Sequence, residues 1–253
     1  MRVIRSFVIA FATYSRIPMP PVEWSEENRK YAMCFFPLVG AVIGAALWLW
    51  LLLCARLALG ALLRGAVGAV IPLLVTGGIH MDGFMDTTDA LASWQPKEKK
   101  LEILKDSRVG AFAAMACCAY LLLAAALLGE ATLRDAPALA LCFVLSRALS
   151  AWALVAFHSA RPDGMLDSFA RTARRRLVTA SSGVYAALCL TGWLLCGVWT
   201  ALLCAAAAAC VALYYRHMAY RQFGGVTGDL AGWFSQITEL CLTAAVIVGG
   251  KLI

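Results

Sequence analysis

Three carboxylates with helical spacing, Asp82, Asp86 and Asp89, are the residues best placed to do chemistry in this sequence. At about 100° per helical residue, positions i, i+4 and i+7 share one helix face, whereas His80 would point the other way. Crowded carboxylates repel one another, and burying them at a membrane boundary is costly unless a cation neutralises them. We therefore predict a cation site here. The alternative is a solvated helix end whose amino terminus favours negative charge.

The composition predicts that the elements carrying these residues lie in a membrane. Of the 253 residues, 62% are hydrophobic and only 15% are charged, against roughly 25% charged residues in soluble domains. The net charge is +7, but the basic residues form short clusters between apolar runs, which is typical of topology signals and not of nucleic-acid binding. We expect an all-α, polytopic helical bundle that forms one integral membrane catalytic domain over residues 1–253, with no nucleic-acid partner.

Seven apolar segments approach the roughly 20 residues that a bilayer requires. They are Tyr31–Ala55, Leu62–Ile79, Gly110–Leu128, Pro137–Phe157, Leu177–Cys196, Val198–Tyr215 and Leu230–Gly249. Met1–Ile17 is amphipathic and lacks a cleavage pattern, so we predict a retained interfacial or re-entrant helix. Basic residues concentrate in alternate connections, which predicts a cytoplasmic N terminus and a C terminus on the other side.

On this topology the polar segments converge on the cytoplasmic side. The aspartate trio, Asp106, the Arg161–Arg176 loop with Asp163 and Asp167, and Asp229 would all face one pocket although they are distant in sequence. We therefore expect an active site that faces the cytoplasm.

Two charges interrupt predicted spans. Arg147 and Glu239 each lie in an otherwise apolar segment, where a charge must face the protein interior and find a partner. They could form an ion pair with each other. Alternatively, they could hold an anionic substrate or a metal, because the planar fork of Arg147 suits a phosphate.

Two polar loops allow two interpretations each. In the run KDSRVG, Asp106 and Arg108 could contact substrate, or Asp106 or Ser107 could cap the third span. In GGVTGD, the glycines before Asp229 could let the backbone approach a phosphate, or could form a turn and a helix cap.

These motifs together give a resemblance over nearly the whole chain. The sequence resembles the cobalamin synthase family, membrane-bound adenosylcobinamide-GDP ribazoletransferases of the late cobalamin pathway. The matching segments are YSRIPMP (14–20), CFFPLVG (34–40), GGIHMDGFMDTTDA (77–90), KDSRVG (105–110), SR (146–147), GGVTGD (224–229) and TEL (238–240). Ala90 stands where the family more often has glycine.

The resemblance implies a Mg²⁺-dependent transfer that joins adenosylcobinamide-GDP to α-ribazole or α-ribazole 5′-phosphate and releases GMP. Hard carboxylate oxygens suit Mg²⁺. We assign Asp82 and Asp86 as the leading metal ligands, Asp89 as a third ligand or the base, and His80 as a further catalytic candidate. The predicted substrate-binding residues are Gly77, Gly78, Asp106, Arg108, Arg147, Gly224, Gly225, Asp229 and Glu239.

The resemblance also implies a bacterial cytoplasmic (inner) membrane location, contact with the lipid bilayer, and a homo-oligomer or an association with other enzymes of the pathway as further partners. Two other functions stay open on the residues alone. A membrane carrier could use Arg147 and Glu239. A CDP-alcohol-phosphotransferase-like enzyme has a similar D-x-x-x-D-x-x-D spacing, although its D-G-x-x-A-R opening is absent here.

Overall fold

The computed structural model of the protein describes residues 2–161 and 164–252. These residues fold into α-helices, one 3₁₀ turn at Leu133–Asp135 and an isolated bridge between Ser159 and Val226. The all-α prediction is confirmed, and Asp163 lies outside the described residues. The helices are α1 (Arg2–Tyr14), α2 (Glu26–Arg29), α3 (Ala32–Leu57), α4 (Ala61–Thr76), α5 (Ile79–Ala92), α6 (Lys97–Ile103), α7 (Ala111–Glu130), α8 (Ala136–Ala156), α9 (Met165–Thr172), α10 (Arg175–Cys196), α11 (Val198–Phe223) and α12 (Gly228–Gly250).

Six of these helices are long and apolar enough to cross a bilayer: α3, α7, α8 with the turn before it, α10, α11 and α12. Helix α4 has 16 residues, fewer than the roughly 20 of a full span. With α5 it forms an apolar pair bent by 99°, and counting that pair as one span gives seven. The predicted polytopic bundle of about seven spans is confirmed.

The bend between α4 and α5 corrects the predicted span Leu62–Ile79, because the helix ends at Thr76. Gly77 and Gly78 have φ angles of +69° and +84°, a left-handed conformation that glycine adopts without steric cost. Two such residues in succession end one helix and reorient the chain before the next. The two glycines therefore set the direction in which the aspartate helix α5 leaves the membrane segment.

The last turns of α11 correct a second boundary. The apolar run predicts a span that ends at Tyr215, but the helix continues to Phe223. No glycine or proline lies between Val198 and Gly224, so nothing in the sequence stops the helix earlier. Arg216 and Arg221 are consequently exposed side chains of the helix and not residues of a loop.

Helix α1 confirms that the N-terminal segment is helical. Ile9, Ala10 and Phe11 are buried, whereas Val3 and Ile4 are exposed. The Tyr14 ring packs on Phe36 of α3, with 4.3 Å between the ring centroids. One face of α1 therefore packs on the bundle, and its interfacial or re-entrant placement stays a prediction.

Small residues bring α3 and α8 into close contact at the centre of the bundle. A Cβ atom on Gly40 would lie 2.2 Å from the Phe143 carbonyl oxygen, and one on Gly44 would lie 2.8 Å from the Cα of Ala140. Such contacts are typical of membrane helices, where packing and not the hydrophobic effect holds helices together. Helix α8 is thereby fixed in the position from which it supports the polar end of the bundle.

The two ends of the bundle differ in their charged groups. At one end the C termini of α7 and α12 meet, where Lys251 Nζ lies 2.7 Å from Glu130 Oε2. The opposite end holds the N termini of α7 and α12 together with α5. The aspartates of α5 and α12 therefore meet at a single end, as the predicted convergence requires.

We expect Gly40→Ala to lower the free energy of unfolding by about 1–3 kcal/mol, because the added methyl group must displace the α8 backbone. Thermal denaturation of the purified protein in lipid–detergent micelles measures the change. Gly183→Ala is the matched control, since no atom lies within 4 Å of the added Cβ. It should leave stability unchanged or raise it by roughly 0.5–1 kcal/mol. Equal effects of the two substitutions would contradict the packing interpretation.

Candidate active site

The three predicted carboxylates lie on helix α5, as their spacing requires. Asp82 is exposed, and Asp86 and Asp89 are partly buried. Asp82 and Asp89 are close enough to Asp86 for their negative charges to repel its own. The prediction that the trio shares one helix face is confirmed.

A fourth carboxylate, Asp229, joins the trio at the start of α12. A Cβ atom on Gly83 would lie 2.6 Å from the Asp229 carbonyl oxygen, and one on Gly232 would lie 2.9 Å from the His80 carbonyl oxygen. The two helices thus touch backbone to backbone through their glycines. This contact brings Asp229 within repulsive range of both Asp82 and Asp86.

Arg161 supplies a positive charge beside the acidic group that Asp82, Asp86 and Asp229 form. Its Nη1 atom lies 3.6 Å from Asp229 Oδ2, and its Nη2 atom donates a hydrogen bond to the carbonyl oxygen of Leu101. In the sequence Arg161 is only one member of a basic loop, and no motif or helical spacing links it to Asp229. Its place beside the aspartates is a product of the tertiary fold.

The GGVTGD segment forms a turn and a helix cap, one of its two predicted interpretations. Gly224 ends α11 with a φ of +80°, and the Thr227 side chain accepts a hydrogen bond from the Leu230 amide at 3.2 Å. Gly225 passes so close to the segment after α8 that a Cβ would lie 2.5 Å from the His158 carbonyl oxygen. A direct contact of Gly224, Gly225 or Asp229 with substrate stays a prediction.

Asp89 has a structural role that the sequence did not reveal. Its two carboxylate oxygens accept hydrogen bonds from the backbone amides of Gly110, at 2.6 Å, and Ala113, at 2.8 Å. It therefore caps α7 from another helix. The predicted alternative that Asp106 caps α7 is wrong, because the Asp106 carboxylate binds Arg108. The role of Asp89 as a metal ligand or base stays a prediction.

Asp106 and Arg108 bind each other on the surface. The Asp106 carboxylate accepts hydrogen bonds from Arg108 Nη2 at 2.8 Å, Arg108 Nε at 3.0 Å and the Arg108 amide at 3.1 Å. These hydrogen bonds hold the pKa of Asp106 below its ordinary value. Since the Arg108 side chain is 87% exposed, it can leave this partner at little cost, and its contact with a phosphate stays a prediction.

A cavity of about 260 Å³ opens beside Asp82 and Asp229. Its wall is mainly aromatic and aliphatic, and it also contains His80, which is 4% exposed. The His80 ring lies against Phe36 and Tyr14, with centroid distances of 5.6 Å and 6.1 Å. The site therefore has a carboxylate side and an apolar side.

Arg147 and Glu239 form the buried ion pair that was one of their two predicted arrangements. Arg147 Nη1 donates to Glu239 Oε1, and the Ser146 hydroxyl lies 3.2 Å from the same oxygen. The side chains are 0% and 3% exposed. The pair joins α8 to α12, and direct binding of substrate by either residue stays a prediction.

The acidic group fits a magnesium ion that shares its coordination with a substrate. In the described part of the chain, no three Asp, Glu, His or Cys side chains converge closely enough to enclose a metal by themselves. Mg²⁺ commonly takes only one or two carboxylates and completes its shell with water and substrate phosphate. Asp82, Asp86 and Asp229 offer such oxygens, and their mutual repulsion favours a cation.

A family model described as cobalamin-5-phosphate synthase matches residues 6–247. The chain belongs to this family. Similar proteins called adenosylcobinamide-GDP ribazoletransferase support the assignment. The protein from Lachnoclostridium phytofermentans is 42% identical over 100% of this chain and 97% of its own length. The one from Desulfitobacterium hafniense is 35% identical over 94% of each chain, and the one from Ralstonia nicotianae is 35% identical over 93% and 92%. No solved structure matches.

Membership of the cobalamin-5-phosphate synthase family confirms the resemblance found in the sequence. The matched residues include the aspartate helix α5, the KDSRVG segment and the GGVTGD turn. They also include the SR pair and Glu239, the partner of Arg147 in the buried ion pair. The acidic end of the bundle is therefore the candidate active site of a family member.

We expect Arg147→Met and Glu239→Leu each to lower the free energy of unfolding by roughly 3–5 kcal/mol, because each leaves an unpaired buried charge. The double replacement should recover most of the loss. Unfolding of the purified variants, arranged as a double-mutant cycle, measures the coupling. Glu130→Leu is the control, since its exposed pair with Lys251 should contribute at most about 1 kcal/mol. Additive losses for Arg147 and Glu239 would show that the pair is not the source of their stabilising effect.

Proposed function

We propose that this chain is an adenosylcobinamide-GDP ribazoletransferase that joins adenosylcobinamide-GDP to α-ribazole or α-ribazole 5′-phosphate. The observation that carries the proposal is the meeting of Asp82, Asp86 and Asp229 at one end of the bundle, next to Arg161. Membership of the family and the name shared by its relatives support the same reaction. The product is a cobalamin, or a cobalamin 5′-phosphate, together with GMP.

The chemistry is a transfer at a diphosphate. A ribose hydroxyl oxygen of the acceptor bonds to the phosphorus that carries the cobinamide, the bond from that phosphorus to GMP breaks, and the hydroxyl proton leaves. With a 5′-phosphorylated acceptor the 5′ position is already blocked, so the attacking oxygen belongs to another ribose hydroxyl. Charge on the phosphoryl oxygens and on the leaving GMP must be neutralised.

Each residue of the site has its own role in the proposed reaction. Asp82 and Asp86 would hold Mg²⁺, which when bound supplies positive charge to the phosphates. Asp229, which lines the same cavity as Asp82, would receive the hydroxyl proton. Arg161, beside Asp229, would hold a phosphate oxygen. Asp89 keeps α7 in position by capping it.

A carrier is the second function that the sequence allowed, and the structure does not favour it. A carrier would use Arg147 and Glu239 as exposed intramembrane charges. The two residues are buried against each other, whereas Asp82, Asp86 and Asp229 lie at the end of the bundle.

The proposed location is the bacterial inner membrane, with the acidic end facing the cytoplasm. The clustering of basic residues at that end supports this orientation. The proposal places the site in the compartment that holds nucleotide-activated substrates. Association with other copies of the chain, or with enzymes of the same pathway, belongs to the same proposal.

We expect Asp82→Asn and Asp86→Asn each to reduce transfer by roughly 10²-fold or more, as the loss of a charge-stabilising group does, while folding is preserved. GMP release from adenosylcobinamide-GDP in the presence of α-ribazole measures transfer. Glu130→Gln, at the opposite end of the bundle, is the matched control and should retain full activity.

Removal of divalent cations tests the metal in the same assay. A chelator should abolish GMP release, and added Mg²⁺ should restore it in the wild type but not in the two asparagine variants. Near-normal turnover of either variant would remove that aspartate from the catalytic group.

Cysteines introduced one at a time at two exposed arginines test the orientation of the bundle. In a background with the exposed Cys118 and Cys210 replaced by alanine, Arg175→Cys should react with an impermeant thiol reagent only after the cells are opened. Arg134→Cys, at the other end of the bundle, should react in intact cells. The reverse labelling pattern would place the acidic end outside the cytoplasm and contradict the proposed location.

A further inference from the structure

The cavity of about 260 Å³ beside Asp82 and Asp229 has an apolar wall formed by Tyr14, Met33, Phe36, Leu154 and Leu166. It lies between helices α1, α3, α5, α8, α9 and α12. Its volume suits a fused bicyclic ring but is far smaller than a corrin macrocycle requires. The cavity therefore fits one flat, largely apolar group of a substrate.

His80 is a buried polar residue of this wall. The side chain is 4% exposed, and neither Nδ1 nor Nε2 has a hydrogen-bond partner among the described residues. A neutral imidazole carries one N–H donor and one acceptor, and buried polar atoms of this kind are nearly always hydrogen-bonded. The imidazole can therefore donate one hydrogen bond to a nitrogen or oxygen of a ligand, and the apolar residues around it disfavour a ligand with many polar atoms.

The substrates of the proposed reaction differ in how well they match this wall. Guanine has polar atoms along most of its edge, and an apolar cavity would leave several of them unpaired. The base of ribazole is a benzimidazole, a fused aromatic ring with one free ring nitrogen. It can pack on Tyr14 and Phe36 through its faces and pair its one polar atom with His80.

We propose that this cavity binds the heteroaromatic base of the acceptor nucleoside, with a His80 N–H donating a hydrogen bond to the free ring nitrogen. The ribose then lies at the side of the cavity formed by Asp82 and Asp229, where its hydroxyl groups reach the acidic group. This inference rests on the proposed function and assigns His80 to recognition of the base.

Binding of two nucleosides to the full-length protein in nanodiscs, without the cobinamide donor, tests the assignment. The probes are α-ribazole and the corresponding indole riboside, in which a C–H group replaces the free ring nitrogen. The wild type should bind α-ribazole about tenfold more tightly, the effect of one buried hydrogen bond. His80→Phe, which keeps an aromatic ring but removes both nitrogens, should abolish this preference.

Two further variants complete the test. His217→Phe changes an exposed histidine of α11 and should keep the preference. Ala231→Leu adds bulk to the cavity wall and should weaken binding of both nucleosides by a similar factor. If His80→Phe does not fold, the nucleoside binding of Ala231→Leu still tests whether the cavity holds the base.

The outcomes separate this inference from the proposed function, because GMP release is measured independently. If the wild type catalyses transfer but His80→Phe keeps the full preference for α-ribazole, the inference is overturned and the function stands. The inference is also overturned if Ala231→Leu weakens binding of GMP and not of α-ribazole, since the cavity would then hold the donor nucleotide. A wild type that neither binds α-ribazole nor releases GMP overturns both.

Discussion

The close contact between α5 and α12 is the constraint on which the site depends. Gly83 and Gly232 let the two backbones touch, and any larger residue at either position would separate the helices. The contact forces carboxylates from two helices to share one end of the bundle, although they repel each other. Packing of the two helices therefore holds together carboxylates that would otherwise separate. Such a concentration of negative charge would favour the cation of the proposed function.

The remaining contacts keep this pair of helices in place. Asp89 binds the N terminus of α7, and the Arg147–Glu239 pair fixes α12 against α8. Glu239 follows Asp229 by ten residues on the same helix, which is about 15 Å along its axis. The ion pair therefore lies below the acidic end, within the span. The two acidic residues of α12 thus lie at two depths: Glu239 joins the helices of the bundle, and Asp229 belongs to the candidate active site.

Sequence patterns predicted the features that depend on periodicity. The spacing of Asp82, Asp86 and Asp89 gave the helix and its acidic face, and the lengths of the apolar runs gave the bundle. Features that depend on tertiary partners were not predictable. Nothing near Asp89 in the sequence indicates that its partner is the Gly110 amide, and nothing near Arg161 indicates Asp229. Helix ends were partly predictable from the sequence. The bend at Gly77 and Gly78 follows from the residue type, whereas the predicted end of α11 at Tyr215 was wrong because the helix continues to Phe223.

The polarity of the site changes over a short distance, and this change has a chemical reason. The Tyr14 and Phe36 rings form the apolar wall of a cavity whose other side carries Asp82 and Asp229. A phosphate cannot enter the apolar part without losing its hydration, and an apolar ring gains nothing beside the carboxylates. On the proposed function, a molecule that combines an apolar ring with a polar sugar would therefore be held in one orientation, with its hydroxyl groups beside Asp82 and Asp229. Orientation of this kind would lower the entropic cost of bringing the hydroxyl to the phosphorus in the proposed reaction. The boundary between the apolar and charged walls would then contribute to catalysis by positioning the acceptor.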